Sequence, residues 1–415
     1  LTNQEGFTMS SALVSKVSNA QIDRASTYLN KLTVRIITLL PLATLLQAKP
    51  GFSAINQIVI ALSVTCFILS ALVTNYLMRY WFLLFLTIAL TIFGIAITNG
   101  KFVNINLVVY LLFWVLLFSM FSAKINSLGM LVMKDMKWIR GIAVVWCILV
   151  AVSIPFPSSY YVVKGQGRFF CSFAGDSFRL SPTALMVLTL LIVCLKRDYV
   201  NRWIYGVMSI FPLYCAFMGY SRTYLGVILL MYVLFMWEFM ASKRSFYISL
   251  VAGGVFAAFI ISVSSISSKI NSTSHGGYLG FWDTLTSGRS SFWAHDMLRY
   301  SQFGFTNLLF GGGFNKIYEI NQEIGINIWA HNDFINLLVT NGIVGLVVYL
   351  LPLIFLIRNS FVNRVNAPWY IYALLVLQWL INAFFNMEYT YVCAAIATAF
   401  AFLLLTFPSD KKKLR

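Results

Sequence analysis

The sequence predicts an all-α polytopic membrane protein with about twelve transmembrane helices, and three observations predict it. Of 415 residues, 60% are hydrophobic and only 10% are charged, whereas a soluble domain is about 25% charged. Mean hydropathy is +0.80. Mostly apolar runs close to the ~20 residues that cross a bilayer recur along the chain. The 30 basic and 13 acidic residues could not cover a water-soluble protein of this size, and disorder needs low hydrophobicity with dense charge. A soluble enzyme and a disordered chain are both excluded. The net charge of +17 needs its own account, in membrane orientation, lipid headgroups or an anionic ligand.

The elements follow in chain order, within one domain, 1–415. Residues 33–48 form the weakest span, because they include Arg35 and Pro41. Spans 55–76 and 80–98 lie on either side of Arg79. Span 105–122 precedes Lys124, Lys134 and Lys137. Spans 139–156 and 180–195 flank a loop, 157–179. Spans 203–219 and 224–240 leave only a tight turn between them, and 247–266 follows Lys243 and Arg244. After the longest loop, 267–333, come 334–357, 369–386 and 389–407. Gly342 and Gly345 are expected to let their span pack closely against a neighbour. No internal repeat stands out.

Lysine and arginine in the short loops set the orientation. The tail Asp410-Lys411-Lys412-Lys413-Leu414-Arg415 reads as cytoplasmic. Alternation through twelve spans then assigns twenty of the 30 basic residues to the cytoplasmic side, with both termini cytoplasmic. The ten outer ones are Lys49, Lys101, Lys164, Arg168, Arg179, Arg222, Lys269, Arg289, Arg299 and Lys316. Both long loops, 157–179 and 267–333, face outward, and loops of that length are usually functional. Within the longer one, the hydrophobic stretch Ser291–Leu309 predicts short interfacial helices.

Five of the six cysteines (Cys66, Cys147, Cys194, Cys215 and Cys393) fall in apolar runs and only Cys171 in a loop, so no disulfide framework and no zinc site are expected. Residues 1–30 are polar and lack the apolar core of a cleavable signal peptide. The natural start is left open between Leu1 and Met9. Glu238 and Glu388 lie near span ends, and no carboxylate is read near a span centre, which argues against ion-coupled transport. Attention moves to the outer face.

Four outer segments could carry chemistry. In Gly219-Tyr220-Ser221-Arg222-Thr223-Tyr224, one arginine sits in a tight turn. It could grip a diphosphate bidentately or snorkel to headgroups. In Thr286-Ser287-Gly288-Arg289-Ser290-Ser291-Phe292-Trp293, Gly288 permits a tight backbone and Arg289 opens an interfacial helix ending near Leu309. That suits an anion, or a capped helix with a solvated arginine. The turn Gly311-Gly312-Gly313-Phe314-Asn315 lacks the lysine and hydroxyl of a phosphate loop. In Ala330-His331-Asn332-Asp333-Phe334, Asn332 or Asp333 can cap the next span. His331 would then lie at the positive helix end, which favours neutral imidazole and a general base, or it simply packs there. His275 and His295 read as ordinary loop residues. Arg168, in Gly165-Gln166-Gly167-Arg168-Phe169-Phe170, is the fourth candidate, with Arg179 a weaker one and Asp176 the loop's only carboxylate.

In this order and setting, the pieces resemble the O-antigen ligase/polymerase superfamily of bacterial envelope glycosyltransferases. The resemblance rests on Ser221-Arg222-Thr223, Ser287-Gly288-Arg289 with Trp293, the Gly311–Phe314 turn, and His331-Asn332. Nine residues after His331-Asn332 comes Gly342-Ile343-Val344-Gly345, which is similar to the family's His-Asn-x9-Gly-x-x-Gly pattern. The motifs span about 160–350 and the topology the whole chain.

The resemblance implies a GT-C-like multi-pass enzyme of the bacterial inner membrane, with its active site on the periplasmic face. The donor would be a glycan on undecaprenyl diphosphate. Arg222 and Arg289 would grip the diphosphate, with Arg168 assisting, and His331 would activate the acceptor hydroxyl. No Asp-x-Asp pair occurs in the outer loops, and the turn Lys49-Pro50-Gly51-Phe52 lacks an acidic residue. Arginines can stabilise the leaving group in place of a metal, so no metal and no cofactor are expected.

Two acceptors compete. A polymerase of O-antigen or capsule joins lipid-linked repeats, and a ligase transfers the glycan to lipid A core. Ser287–Tyr300, the triple glycine and the Ala-His-Asn-Asp-Phe exit favour the polymerase, while the histidine pattern keeps the ligase open. A chain-length regulator protein joins the implied partners, with membrane lipids and no nucleic acid. A lipid-linked glycan flippase would explain the spans, but not a histidine at the loop exit among cations on one face.

Overall fold

Lipid offers the backbone no hydrogen bonds, so apolar segments of this length must satisfy themselves as helices. The fold, a computed structural model, is 82% helical. It describes residues 4–52, 54–74, 77–97, 105–163, 167–219, 221–240, 242, 244–248, 251, 286, 288–365 and 367–408. Most of the predicted span 247–266 lies outside the described residues. So do the loop residues 267–285 with Lys269 and His275, and Lys101, Lys164, Tyr220, Ser287 and the tail from Asp410.

Among the described residues, eight helices are long and apolar enough to cross a membrane. The chain is thus an α-helical, membrane-embedded protein. In order the helices are α1 (Gln4–Leu46), α2 (Ile55–Thr74), α3 (Leu77–Ile97), α4 (Ile105–Ala123), α5 (Ile125–Lys134), α6 (Met136–Ser153), α7 (Ser177–Arg197), α8 (Arg202–Met218) and α9 (Arg222–Phe239). After the break come α10 (Arg289–Ser301), α11 (Phe305–Phe310), α12 (Lys316–Gln322), α13 (Asp333–Val362), α14 (Trp369–Phe385) and α15 (Val392–Leu404). All 13 residues of α15 are buried, as is nearly all of α7. Helices apolar on every side belong at a bundle's centre, which is why α15 is shorter than a lipid-facing span.

Four local outcomes differ from the expectation. The helix containing 33–48 begins at Gln4, because the polar N-terminal residues continue it. The segment after Lys124, outside the expected spans, forms α5, which buries Ile125, Leu128, Gly129 and Val132 on one face, at helical spacing. Arg35, the residue that weakened the first span, meets Asp135 through Nε at 2.5 Å and Nη2 at 2.7 Å and lies over the Trp138 ring. It ties α1 to the α5–α6 corner. The 157–179 loop carries a two-stranded antiparallel hairpin, β1 (Tyr160–Val163) and β2 (Gly167–Phe170), which an all-α reading misses. Cross-strand aromatic pairs hold it: Tyr160 with Phe170 at 5.2 Å and Tyr161 with Phe169 at 5.3 Å.

The fifth difference matters most. The span expected at 334–357 is not one helix. Gly342 has φ 66°, ψ −166°, a region open essentially to glycine alone. There α13 breaks into arms Asp333–Asn341 and Ile343–Val362. The second arm is long enough to cross alone; the first packs partly with α10 and α12, since Val339 joins Phe292, Trp293, Tyr300, Ile317 and Ile320 in one apolar cluster. The triple glycine lies against this break. Gly312 N donates to Val339 O and Gly313 N to Thr340 O, at 2.9 and 3.0 Å. A Cβ on Gly311 would fall 2.3 Å from Thr340 and Asn341 backbone atoms. The expected close packing at Gly342 is therefore with the Gly311 turn, backbone to backbone.

Candidate functional site

Arg289 stands at the first position of α10. Gly288 adopts φ +82°, which opens the helix at the expected residue, and Thr286 Oγ1 accepts from Ser290 N at 3.0 Å to cap the first turn. Arg289 Nη1 donates to the carbonyl of Phe385, the last residue of α14. Thr223 Oγ1 donates to the same carbonyl at 3.3 Å. The Ser221-Arg222-Thr223 turn and the Arg289 turn are thus fastened to one atom. Arg222 lies close enough that its charge disfavours that of Arg289, whose pKa is pulled down first by burial and then by Arg222, with Tyr391 opposing. Arg289 still carries its charge, and among the described residues no carboxylate pairs with it.

His331 joins this pair. It is held at φ +50°, one of two non-glycine residues with positive φ among those described. Such a conformation costs of order 1–3 kcal/mol. The cap of α13 is Asn332, whose Oδ1 accepts from Ile335 N at 3.0 Å. Burial first, then the Arg289 charge, lower the His331 pKa to about 3, against a hydrogen bond with Asn386. Burial and the Arg289 charge, which no sequence pattern displays, thus favour the neutral imidazole.

These side chains open on a cavity of about 690 Å³, within the range of small-ligand sites. Arg289, Phe292, Trp329, His331 and Tyr391 line one part. One end of each of α1, α2, α4 and α7 lines the rest with Gln47, Asn56, Tyr110, Asp176 and Arg179. Asp176 caps α7 by accepting from Arg179 N at 2.7 Å and also pairs with Arg179 Nε at 3.0 Å. Burial pushes the Asp176 carboxyl up, opposed by the Arg179 backbone N–H and guanidinium. Among the described residues no three histidine, cysteine or acidic side chains converge.

Of the residues singled out from the sequence, Arg289 and His331 line the cavity and Arg222 stands behind Arg289. Arg168 does not line it: its guanidinium stacks on the Tyr160 ring at 4.1 Å, on an exposed hairpin strand. Arg179, rated below Arg168, does line it. Sequence reasoning missed Asn386 and Tyr391. Both belong to Asn386-Met387-Glu388-Tyr389-Thr390-Tyr391, a polar and aromatic break between two apolar helices, and that break was the available signal. Asp333 and Glu388, each 0% exposed, were also not read as interior carboxylates. Glu388 N donates to Asp333 Oδ2 at 3.1 Å, just beneath His331 in sequence. Both lie at helix ends, Asp333 at the first position of α13 and Glu388 between α14 and α15, rather than near a span centre.

No protein-family model matches the chain, and no curated protein matches it.

Proposed function

We propose that the protein is a metal-independent glycosyltransferase at the periplasmic face of a bacterial inner membrane. In this reading it takes an undecaprenyl-diphosphate-linked glycan as donor and polymerises O-antigen or capsule repeats, in a GT-C-like arrangement of about twelve spans with both termini cytoplasmic. The observation that carries it is Arg289. A largely buried guanidinium that pairs with no carboxylate among the described residues shares its cavity with a neutral imidazole, and this supports a site that takes negative charge. A diphosphate supplies that charge, and desolvated arginines bind it bidentately.

His331 accepts the proton of the acceptor hydroxyl. The hydroxyl oxygen bonds to the anomeric carbon as the bond to the diphosphate oxygen breaks. Arg289 and Arg222 stabilise the departing diphosphate, an electrostatic contribution worth roughly 10²–10³ in rate where single donors have been removed elsewhere. A bound diphosphate also offsets the Arg289 charge that depresses His331, so the donor itself raises the basicity of the imidazole. Arg168, stacked on Tyr160, has no direct part.

Purified enzyme given only the lipid-linked repeat should produce a ladder of polymers. Transfer to added lipid A core without a ladder would make it a ligase. Neither product, with lipid-linked glycan moved across a vesicle membrane, would make it a flippase.

A further inference from the structure

The cavity has a second wall whose chemistry differs from the cationic one. Thr44 Oγ1 donates to Asn56 Oδ1 at 3.0 Å. With its carboxamide oxygen turned toward α7, Gln47 accepts from Arg179 Nε at 2.9 Å, and Arg179 pairs with Asp176. Aspartate, arginine and glutamine thus form one bonded chain, and threonine fixes the asparagine. Tyr110 adds a phenol, and Tyr391 feels the charges of Asp176, Arg179 and Arg289, joining this wall to the cationic one.

Three properties of the wall select its occupant. Its one arginine is matched by its one aspartate, so it offers no net charge to a second phosphate. Its carboxamides, hydroxyls and ion pair present donors and acceptors side by side, which a hydrocarbon chain would leave unsatisfied at a cost. Its groups are already held by one another, so little ordering remains for binding to supply. A ligand with adjacent hydroxyls on a small ring fits all three, and the Tyr391 and Phe178 rings offer its C–H face an apolar surface.

We propose that Gln47, Asn56, Tyr110 and the Asp176–Arg179 pair form a subsite for one pyranose ring, next to the Arg289–His331 wall. This inference rests on the proposed diphosphate site for its neighbour, and not for its own chemistry. The ring belongs either to the donor or to the acceptor.

Gln47→Leu, Asn56→Leu and Tyr110→Phe, none of them in the reacting set, test it by equilibrium binding in nanodiscs. The probes are bare undecaprenyl diphosphate, the same lipid carrying one hexose or N-acetylhexosamine, and the methyl glycosides of those sugars. A donor ring predicts that the wild-type protein prefers a glycosylated lipid about tenfold over the bare one. The variants lose that preference yet keep the affinity for bare lipid. An acceptor ring predicts no such preference, with a methyl glycoside binding beside bare lipid in the wild type and about tenfold more weakly in the variants. The subsite is overturned if the wild type binds no sugar in either form, or if folded variants bind every probe as the wild type does. It is also overturned if they lose bare lipid equally. Methyl glycoside binding without any undecaprenyl diphosphate binding would instead remove the diphosphate reading and leave the subsite standing.

Discussion

Tyr349 donates its hydroxyl to Asp333 Oδ2 at 2.7 Å, although sixteen residues of one apolar stretch separate them. On a straight helix that separation is about 24 Å. The contact exists because the chain folds back at Gly342, and it returns the start of α13 to the level of the second arm. Glu388 N reaches the same carboxylate oxygen, and Trp379 Nε1 donates to Tyr349 Oη at 3.2 Å. The turn that supplies Asn386 and Tyr391 is thereby anchored to the residue two places after His331.

Gly342→Ala should therefore do more than strain one residue. A Cβ there would lie 2.3 Å from Leu309 O and 2.6 Å from Gly311 N, in a conformation L-residues avoid. Loss of roughly 4 kcal/mol or more is expected, the scale reserved for severe mechanisms. It should read out as a large fall in melting temperature in detergent and as lost binding. Gly226→Ala, with nothing within 4 Å of its Cβ position, should leave both unchanged. Equal melting of the two variants would remove the fold-back as a structural necessity.

Apolar runs are legible because the bilayer demands length and hydrophobicity and little else, so α2, α3, α4, α6, α7, α8, α9 and α14 lie within about three residues of their expected positions. The break at Gly342 was invisible to that criterion, since glycine scarcely lowers the apolarity of a window. Its companion signal, Gly311–Gly313 some thirty residues earlier, makes sense only once the two backbones meet. In the site, Arg222 and Arg289 were readable as charges set in turns beside apolar runs. The sequence ranks Arg168 above Arg179 and the cavity reverses that order, because the ranking depends on which face of a β-hairpin and which end of α7 meet the cavity. Asn386 was hidden for a different reason: its side chain acts on His331 across the fold, with no local pattern to mark it.

Arg168→Ala and Arg179→Ala should separate accordingly. Arg168 is exposed and stacks on the half-buried Tyr160 ring, and an exposed cation of this kind is worth only ~0.5–1 kcal/mol, so its loss should change transfer by no more than a few-fold. Arg179 pairs with Asp176 at the cavity wall, and its removal leaves a half-buried carboxylate without that partner. A fall of tenfold or more in kcat/KM is expected. The reverse order would place the diphosphate at the hairpin.

Arg289→Lys should lose at least about a hundredfold in transfer rate, because a lysine cannot keep the Phe385 carbonyl and still present a planar fork. The same change should raise the His331 pKa only slightly, since the charge remains, whereas Arg289→Gln should raise it clearly. Labelled imidazole spectra of the two variants distinguish them. With His331 lowered to about 3, the assigned His331 resonance of the unliganded wild type should not titrate between pH 5 and 8. Added undecaprenyl diphosphate should bring its pKa upward. An inflection near pH 6.5 without ligand would contradict the geometry.

Asp296 gives the opposite dependence. It is 0% exposed in α10, and neither carboxylate oxygen finds a partner among the described residues. Burial pushes its pKa up to about 7 from an ordinary 3.8. The folded protein therefore holds the proton more tightly than the unfolded chain, and stability is full below about pH 4 and falls as pH rises through 7. At high pH the loss is roughly 4 kcal/mol. Asp296→Asn keeps the shape without the charge, so its melting temperature should exceed that of the wild type at pH 8 and approach it at pH 4. His331 acts in the other sense, since the unfolded chain gains its proton as pH falls below 6.5 while the folded one does not until about 3. The difference between variant and wild type cancels that contribution, as it does the contact of His295 with Glu323 at 3.3 Å. A melting difference that stays constant across pH 4–8 would mean that Asp296 is ionised in the fold, and that a charge outside α10 compensates it.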